Sequence, residues 1–243
     1  QKQWDDQLGT ININRGNEDA KAIFYSALYH SSIAPYNLSD VGGDYRGLDG
    51  QIHNDPSQNH YTSFSLWDTF RTWNPMMTLL DEKFVVEMIN SMLAHYEQTG
   101  ELSIWPLWGS ETSSMIGYHA VSVIADAWMK GIRGFNSELA LQAMIASSNT
   151  SRKGNDLYRK FGFIPANNKS ESVSVLLESA YDDWCISIMA NSLGNEKVAR
   201  EYEKRAYNYQ HVFDGNTRFF RGKREDGSWT SPFNPFEVSR DLT

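Results

Sequence analysis

Three times this chain runs an apolar helical stretch into a short turn and then a second helix. Three times a cluster of polar and aromatic residues sits at or near the start of the first stretch. The clusters are Trp67-Asp-Thr-Phe-Arg71, Met115-Ile-Gly-Tyr-His-Ala120 and Tyr181-Asp-Asp-Trp-Cys185. The expected pairs are 63–79 with 81–98, 114–132 with 137–147, and 172–193 with a helix to about 213. A helix apolar nearly all round must be buried, whereas one with a charged face borders water. Comparing 121–129 and 173–193 with 196–209 therefore gives an inner helix followed by an outer one. A ring of such pairs brings the three clusters to one end, around one pocket.

The pairs carry their own punctuation. Phe84, Val85, Met88, Ile89, Met92 and Leu93 form a helical stripe, with Asp81 as its N-cap and Gly100 at its end. Gly134 ends the first helix of the second pair and Asn136 caps the next; Gly194 and Asn195 do the same in the third. Before the repeat, Asn17 caps a helix over 18–30. Residues 36–59 hold Gly42, Gly43, Gly47, Gly50 and Pro56, and are expected to be a loop. A structureless stretch of that length inside a compact domain is usually functional. Near the C-terminus, Asp226-Gly227 between 219–222 and 227–230 predicts a β-hairpin.

The fold class is therefore all-α: inner and outer helix hairpins of an (α/α)6 toroid or α-solenoid, with a small β-hairpin near the C-terminus. Six hairpins need about twelve helices and about seven are legible, so the toroid is expected to be incomplete, about half. The expected organisation is one partial (α/α)6 domain over 1–243, with no β-sandwich-sized segment expected ahead of it.

Composition closes off other functions. Net charge is −8 with no basic stripe, which argues against a nucleic-acid partner. No apolar run is long enough to span a bilayer. No signal-peptide pattern is present, although Gln1 could follow a removed one. Cys185 is the single cysteine and lies on an apolar stripe, as a small core residue does. Aromatic residues reach 13% with 8 Trp, which suits either a well-packed core or the binding of flat faces such as those of sugars.

Several segments carry a family resemblance: Phe24–His30, Asp44-Tyr-Arg-Gly-Leu-Asp49, Phe64-Ser-Leu-Trp-Asp-Thr-Phe-Arg71 and Trp105-Pro-Leu107. Met115-Ile-Gly-Tyr-His-Ala120, Val123-Ile-Ala-Asp-Ala127, Tyr181-Asp-Asp-Trp-Cys-Ile186, Asp226-Gly-Ser-Trp229 and Pro232-Phe233 continue it. Together, in this order, they resemble glycoside hydrolase family 92. The resemblance implies a calcium-dependent exo-α-mannosidase that inverts the anomeric centre. It implies a site between an N-terminal β-sandwich and an (α/α)6 barrel, mannose-containing glycans as partners, and a periplasmic or secreted address. It also implies that the Glu-Gly-Asn motif carrying the general acid, and the acidic motifs near the base and the calcium, fall after Thr243. The chain then reads as part of the catalytic barrel, inactive alone, binding no calcium by itself and prone to self-association through apolar edges.

Inversion needs an acid and a base roughly 6.5–9.5 Å apart, and no spacing in this sequence selects such a pair. Asp182 and Asp183 are adjacent on a helix and point about 100° apart, so they cannot share one water; structural bonding and pocket lining are both open to them. The resemblance places Trp67 and Asp68 in the mannose subsite, since a carboxylate accepts two hydroxyls and an indole offers a face or an N–H. Arg71 joins them as a substrate-binding candidate, although an Asp68–Arg71 pair at i, i+3 with Trp67 in the core would account for the same residues. His119, one turn after Met115, is the fourth candidate, against a buried core role. Arg46 and Asp49 could reach the pocket mouth or pair within their loop. Glu111 reads as an exposed loop residue. His53, Asn54 and Asp55 do not make a calcium site, which takes 6–8 oxygens. Two other functions fit the architecture: a non-catalytic helical-repeat interaction module, and another (α/α)6 carbohydrate hydrolase such as a trehalase-like enzyme.

Overall fold

The computed structural model describes residues 2–236. Two helices, α1 (Lys2–Leu8) and α2 (Glu18–Ser31), precede the repeat, and the Asn17 side chain caps α2 by accepting from Ala20 N–H at 2.7 Å. The repeat comprises α3 (Leu66–Thr69), α4 (Trp73–Leu80), α5 (Glu82–Thr99), α6 (Ala120–Met129), α7 (Ser137–Ser148), α8 (Asn155–Phe161), α9 (Ser172–Ser192) and α10 (Glu196–Ala206). Helices α4, α6 and α9 lie side by side, α5 packs on α4 and α6, α7 on α5, α6 and α9, and α10 on α9. This is the two-layered order of inner and outer helices.

The caps fall where the side chains require them. Asp81 Oδ1 accepts from Phe84 N–H at 2.9 Å, and Gly100, at φ 83°, closes α5 in the left-handed conformation that glycine adopts without cost. Asn136 and Asn195 accept from Leu139 and Val198 N–H. Two inner helices are shorter than their apolar period suggests. The stretch 63–79 is broken at Thr72, φ −140°, and Pro75 sits in the first turn of α4, where its missing N–H costs no helical bond. The stretch 114–132 starts as helix only at Ala120, because Met115 and Gly117 hold positive φ values of 66° and 75°. The last helix is also shorter: beyond α10 the backbone tightens into a 3-10 turn, Tyr207–Val212. Helix α8 has no counterpart in the sequence reading.

The segment 36–59 is not a loop throughout. Strand β1 (Tyr36–Asn37) pairs with β4 (Tyr61–Thr62), and β2 (Asp44–Arg46) with β3 (Ile52–Asn54), both antiparallel. Two further ladders join β5 (Pro106–Leu107) to β6 (Ser110–Glu111) and β7 (Phe213–Asp214) to β8 (Phe219–Phe220). The expected hairpin after β8 is present as a bridge between Lys223 and Trp229 around Gly227 at φ 86°.

The main core joins Met88, Ile89 and Met92 of α5 to Ile124 of α6, Met144 of α7 and Ile186 and Met189 of α9. In the first pair the second helix is the more buried. Helix α5 is covered on one side by α4 and α6 and on another by β4, where Tyr61 N–H donates to Ser91 Oγ at 3.0 Å. A smaller core gathers Tyr158, Ile164, Val175, Leu176 and Val212 behind α9.

Candidate functional site

The three clusters do meet. The Phe70 ring stacks on the His119 ring at 4.0 Å and 14°, and Tyr181 approaches Phe70 at 5.5 Å. The first cluster, on α3, borders an open groove of about 360 Å³ lined by Trp67, Asp68, Trp105, Thr112, Ser114 and Met115. Trp67 Nε1 is buried and has no hydrogen-bond partner among the described residues. Asp68 is exposed and accepts from Ser65 Oγ at 2.5 Å. Its expected i, i+3 partner, Arg71, turns elsewhere: Nη2 reaches Glu178 Oε1 at 3.1 Å. The guanidinium lies over Phe70 and Trp67, at 4.6 and 5.4 Å from the ring centroids. Trp67 and Asp68 therefore line this groove together, while Arg71, its guanidinium over the Trp67 ring, lines the neighbouring cavity with Glu178.

His119 lines neither. It is 2% exposed, with Nδ1 2.9 Å from Asp182 Oδ1 and Nε2 2.9 Å from Glu178 Oε2, the second contact lying off the N–H axis. Burial pushes the imidazole down, but Asp182 and Glu178 outweigh it and hold it up at about 9, so the ring is a cation at neutral pH. The helical reading of 114–119 put His119 on a continuous stripe one turn after Met115. With Met115 and Gly117 in positive φ, the ring instead folds back over Gly117. A Cβ at that position would sit 2.3 Å from His119 Nε2. His119 thus backs the pocket wall rather than facing the groove.

Asp182 and Asp183 diverge as their helical spacing requires. Asp182 Oδ2 accepts from Tyr118 N–H at 2.7 Å, holding the entry to α6. Asp183 accepts from the hydroxyls of Tyr118 and Tyr158 and from Arg205 Nε, all at 2.9 Å. Both are fully buried. Burial pushes Asp183 up to about 6, against Arg205 and the two tyrosines. These are structural bonds, and neither carboxylate borders the groove.

Glu111 is not an exposed loop residue. Its carboxylate accepts from the backbone N–H of Ile104, Trp105 and Ser113 at 2.9, 3.0 and 2.6 Å and shapes the turn that carries Trp105. Asp49 pairs with His53 at 3.0 Å inside the β2–β3 turn, and the Arg46 stem packs near Gly109. Cys185 is buried, and burial pushes its thiol up to about 12.

The residue that sequence reasoning passed over is Glu178. A signal existed: it lies four residues before Asp182, so both carboxylates share one face of α9. Burial raises it, but His119 and Arg71 hold its carboxyl below the ordinary range. Among the described residues no group of three or more His, Cys, Asp and Glu is arranged to hold a metal. None of their helices is long and apolar enough to cross a membrane.

Residues 1–243 match the family described as glycosyl hydrolase family 92 catalytic domain. The fold is similar to that of a family 92 α-mannosidase of Bacteroides thetaiotaomicron in complex with mannoimidazole, with TM-score 0.92, 39% identity, and coverage of 96% of this chain and 31% of that one. A family 92 inverting mannosidase of the same organism matches with TM-score 0.91 and 31% identity, over 100% of this chain and 34% of that one. An uncharacterized secreted glycosidase of Arthroderma benhamiae is 24% identical over 252 residues, 96% of this chain and 28% of its own length. The chain thus spans about a third of the length of these relatives.

Proposed function

The chain belongs to glycosyl hydrolase family 92, and from that membership we propose that it forms part of the catalytic (α/α)6 barrel of an exo-α-mannosidase, an enzyme that removes terminal α-linked mannose from glycans with inversion. One observation carries the assignment of the sugar subsite. Trp67, whose buried indole N–H has no partner, lines the same open groove as the exposed Asp68 carboxylate. A buried donor without a partner costs about 1–3 kcal/mol, and a hydroxyl-rich ligand would relieve it. The Asp68 carboxylate accepts sugar hydroxyls, and the Arg71 guanidinium donates to ring or hydroxyl oxygens. The carboxylate is assigned to binding, because no second carboxylate of the described groove residues stands opposite it as acid or base.

Calcium is expected from the family, and among the described residues no cluster is arranged to hold it. An exported address, periplasmic or secreted, goes with a glycan substrate and with a relative described as secreted. The test uses a full-length enzyme carrying this chain, an α-mannoside and proton NMR of the first product. Release of β-mannose, later mutarotating, is expected; release of α-mannose first, or no turnover, overturns the reading.

A second property has its own observation. Leu79, Met129 and Trp184 are about half or more exposed on the inner layer. We propose that the chain alone self-associates through this face, which sedimentation at rising concentration checks; a monomer throughout overturns it.

A further inference from the structure

We infer that Glu178 is a positioning residue for Arg71: it bridges the buried His119 ring and the Arg71 guanidinium, and so keeps Arg71 from collapsing onto Asp68. The inference rests on the mannoside-binding reading of the groove.

The geometry is a chain of alternating charges. Tyr118 N–H donates to Asp182, Asp182 faces His119 Nδ1 at 2.9 Å, and His119 Nε2 faces Glu178 Oε2 at 2.9 Å. Glu178 Oε1 then accepts from Arg71 Nη2 at 3.1 Å. The inner members are rigid. Asp182 is fully buried, and the His119 ring is clamped between the Phe70 face and the Cα side of Gly117. The outer member is not rigid by itself. Arg71 is half exposed, and a long cationic side chain in that setting samples many rotamers. Its nearest alternative partner along the chain is Asp68, three residues back on α3, which ends at Thr69 with Phe70 as its C-cap. If Arg71 took that partner, the guanidinium would cover the carboxylate assigned to sugar hydroxyls. Glu178 prevents this by offering a carboxylate already oriented from behind. Phe70 and Trp67 supply two ring faces along which the guanidinium lies.

The consequence concerns the ligand. A site that takes a neutral, hydroxyl-rich ring needs its carboxylate open as an acceptor and its guanidinium open as a donor, side by side and not joined. The third carboxylate, Glu178, supplies the separation without itself reaching the groove. Its oxygens face His119 and Arg71, and it lines the neighbouring cavity between α4, α6 and α9, where Arg71 also stands with its guanidinium 5.4 Å from the centroid of the Trp67 ring that borders the groove.

Two measurements test this. In the full-length enzyme with an aryl α-mannoside, Glu178→Gln is expected to raise KM about tenfold with kcat changed less than threefold. The same change in an Arg71→Met background is expected to be silent, because Glu178 acts through Arg71. Equal losses in both backgrounds overturn the inference. The second measurement needs no substrate, and so separates failure of this idea from failure of the mannoside reading. Nitrogen-15 NMR of the Arg71 guanidinium is expected to show distinct, slowly rotating Nη resonances in the unaltered chain and averaged ones in Glu178→Gln. Averaged resonances in both, or distinct ones in both, overturn it whatever the substrate proves to be.

Discussion

Asp68 and Asp183 are both carboxylates of the inner layer, and their surroundings differ. Asp183 is fully buried, with two tyrosine hydroxyls and an arginine aimed at it. Asp68 is exposed and takes a hydroxyl from Ser65. Around Asp183 the carboxylate meets each donor. Arg205 Nη2 makes no aligned hydrogen bond but still lies 2.9 Å from Oδ1. The hub is therefore closed on itself and loses much if a member is removed. Around Asp68 an indole N–H is left without a partner, so the groove has something to gain from one. Counting which polar atoms are already spoken for separates scaffold from site better than counting carboxylates.

The sharpest way to break this comparison is Asp183→Ala. Removing one partner of a buried charge pair leaves the other uncompensated and costs about 3–5 kcal/mol. A large fall in melting temperature is expected, with activity per folded molecule retained in a full-length enzyme. A fall below about 1 kcal/mol in urea unfolding would show that the hub is not what holds α9 to Tyr118.

The second test is pH. His119 has a folded-state value of about 9, above the roughly 6.5 of an unfolded imidazole. Its stabilisation is then complete below about pH 6.5 and is lost as pH rises through about 9, at most about 3 kcal/mol. Urea midpoints measured from pH 6 to 10 should fall over that window, and the fall should be absent in His119→Gln. A flat profile for the unaltered chain would make the ring neutral and remove the charge that orients Glu178.

The smallest effect on stability is expected at Asp68. Asp68→Asn in a full-length enzyme should lower kcat/KM at least about tenfold, as a hydrogen bond to a charged group is worth about 1.5–3 kcal/mol. The melting temperature should hardly move. Unchanged kcat/KM with a lowered melting temperature would make Asp68 scaffold, like Asp183.

Much of the fold was legible because it is written in local signals. Asp81 and Gly100 bound α5, and Gly194 and Asn195 divide α9 from α10, each through its own backbone preference. The heads of the inner helices were less legible. The apolar run through Met115 and Ile116 carries a helical period, but the backbone there turns through positive φ at Ser113, Met115 and Gly117. Nothing in the period reports the carboxylate of Glu111, which gathers three N–H groups and sets that turn. Trp67 and Asp68 stand where the sequence put them, at a helix start. The role of His119 was hidden because its partners, Asp182 and Glu178, come from another helix.

The bonds that tie Asp182 and Asp183 to Tyr118 and His119 span 63–65 residues of chain. The α4–α5 hairpin closes between neighbours in the chain, so on a ribosome it can pair soon after it emerges. The entry to α6 cannot. At about 5–20 residues per second, its anchors on α9 are synthesised roughly 3–13 s later. For that interval the Gly117–His119 turn has no buried carboxylate to fold against, and the apolar face of α6 awaits α9. The pocket end of the molecule is therefore fixed only after α9 has been made, later than the hairpin beside it. The amide of Tyr118 should gain hydrogen-exchange protection only when α9 docks.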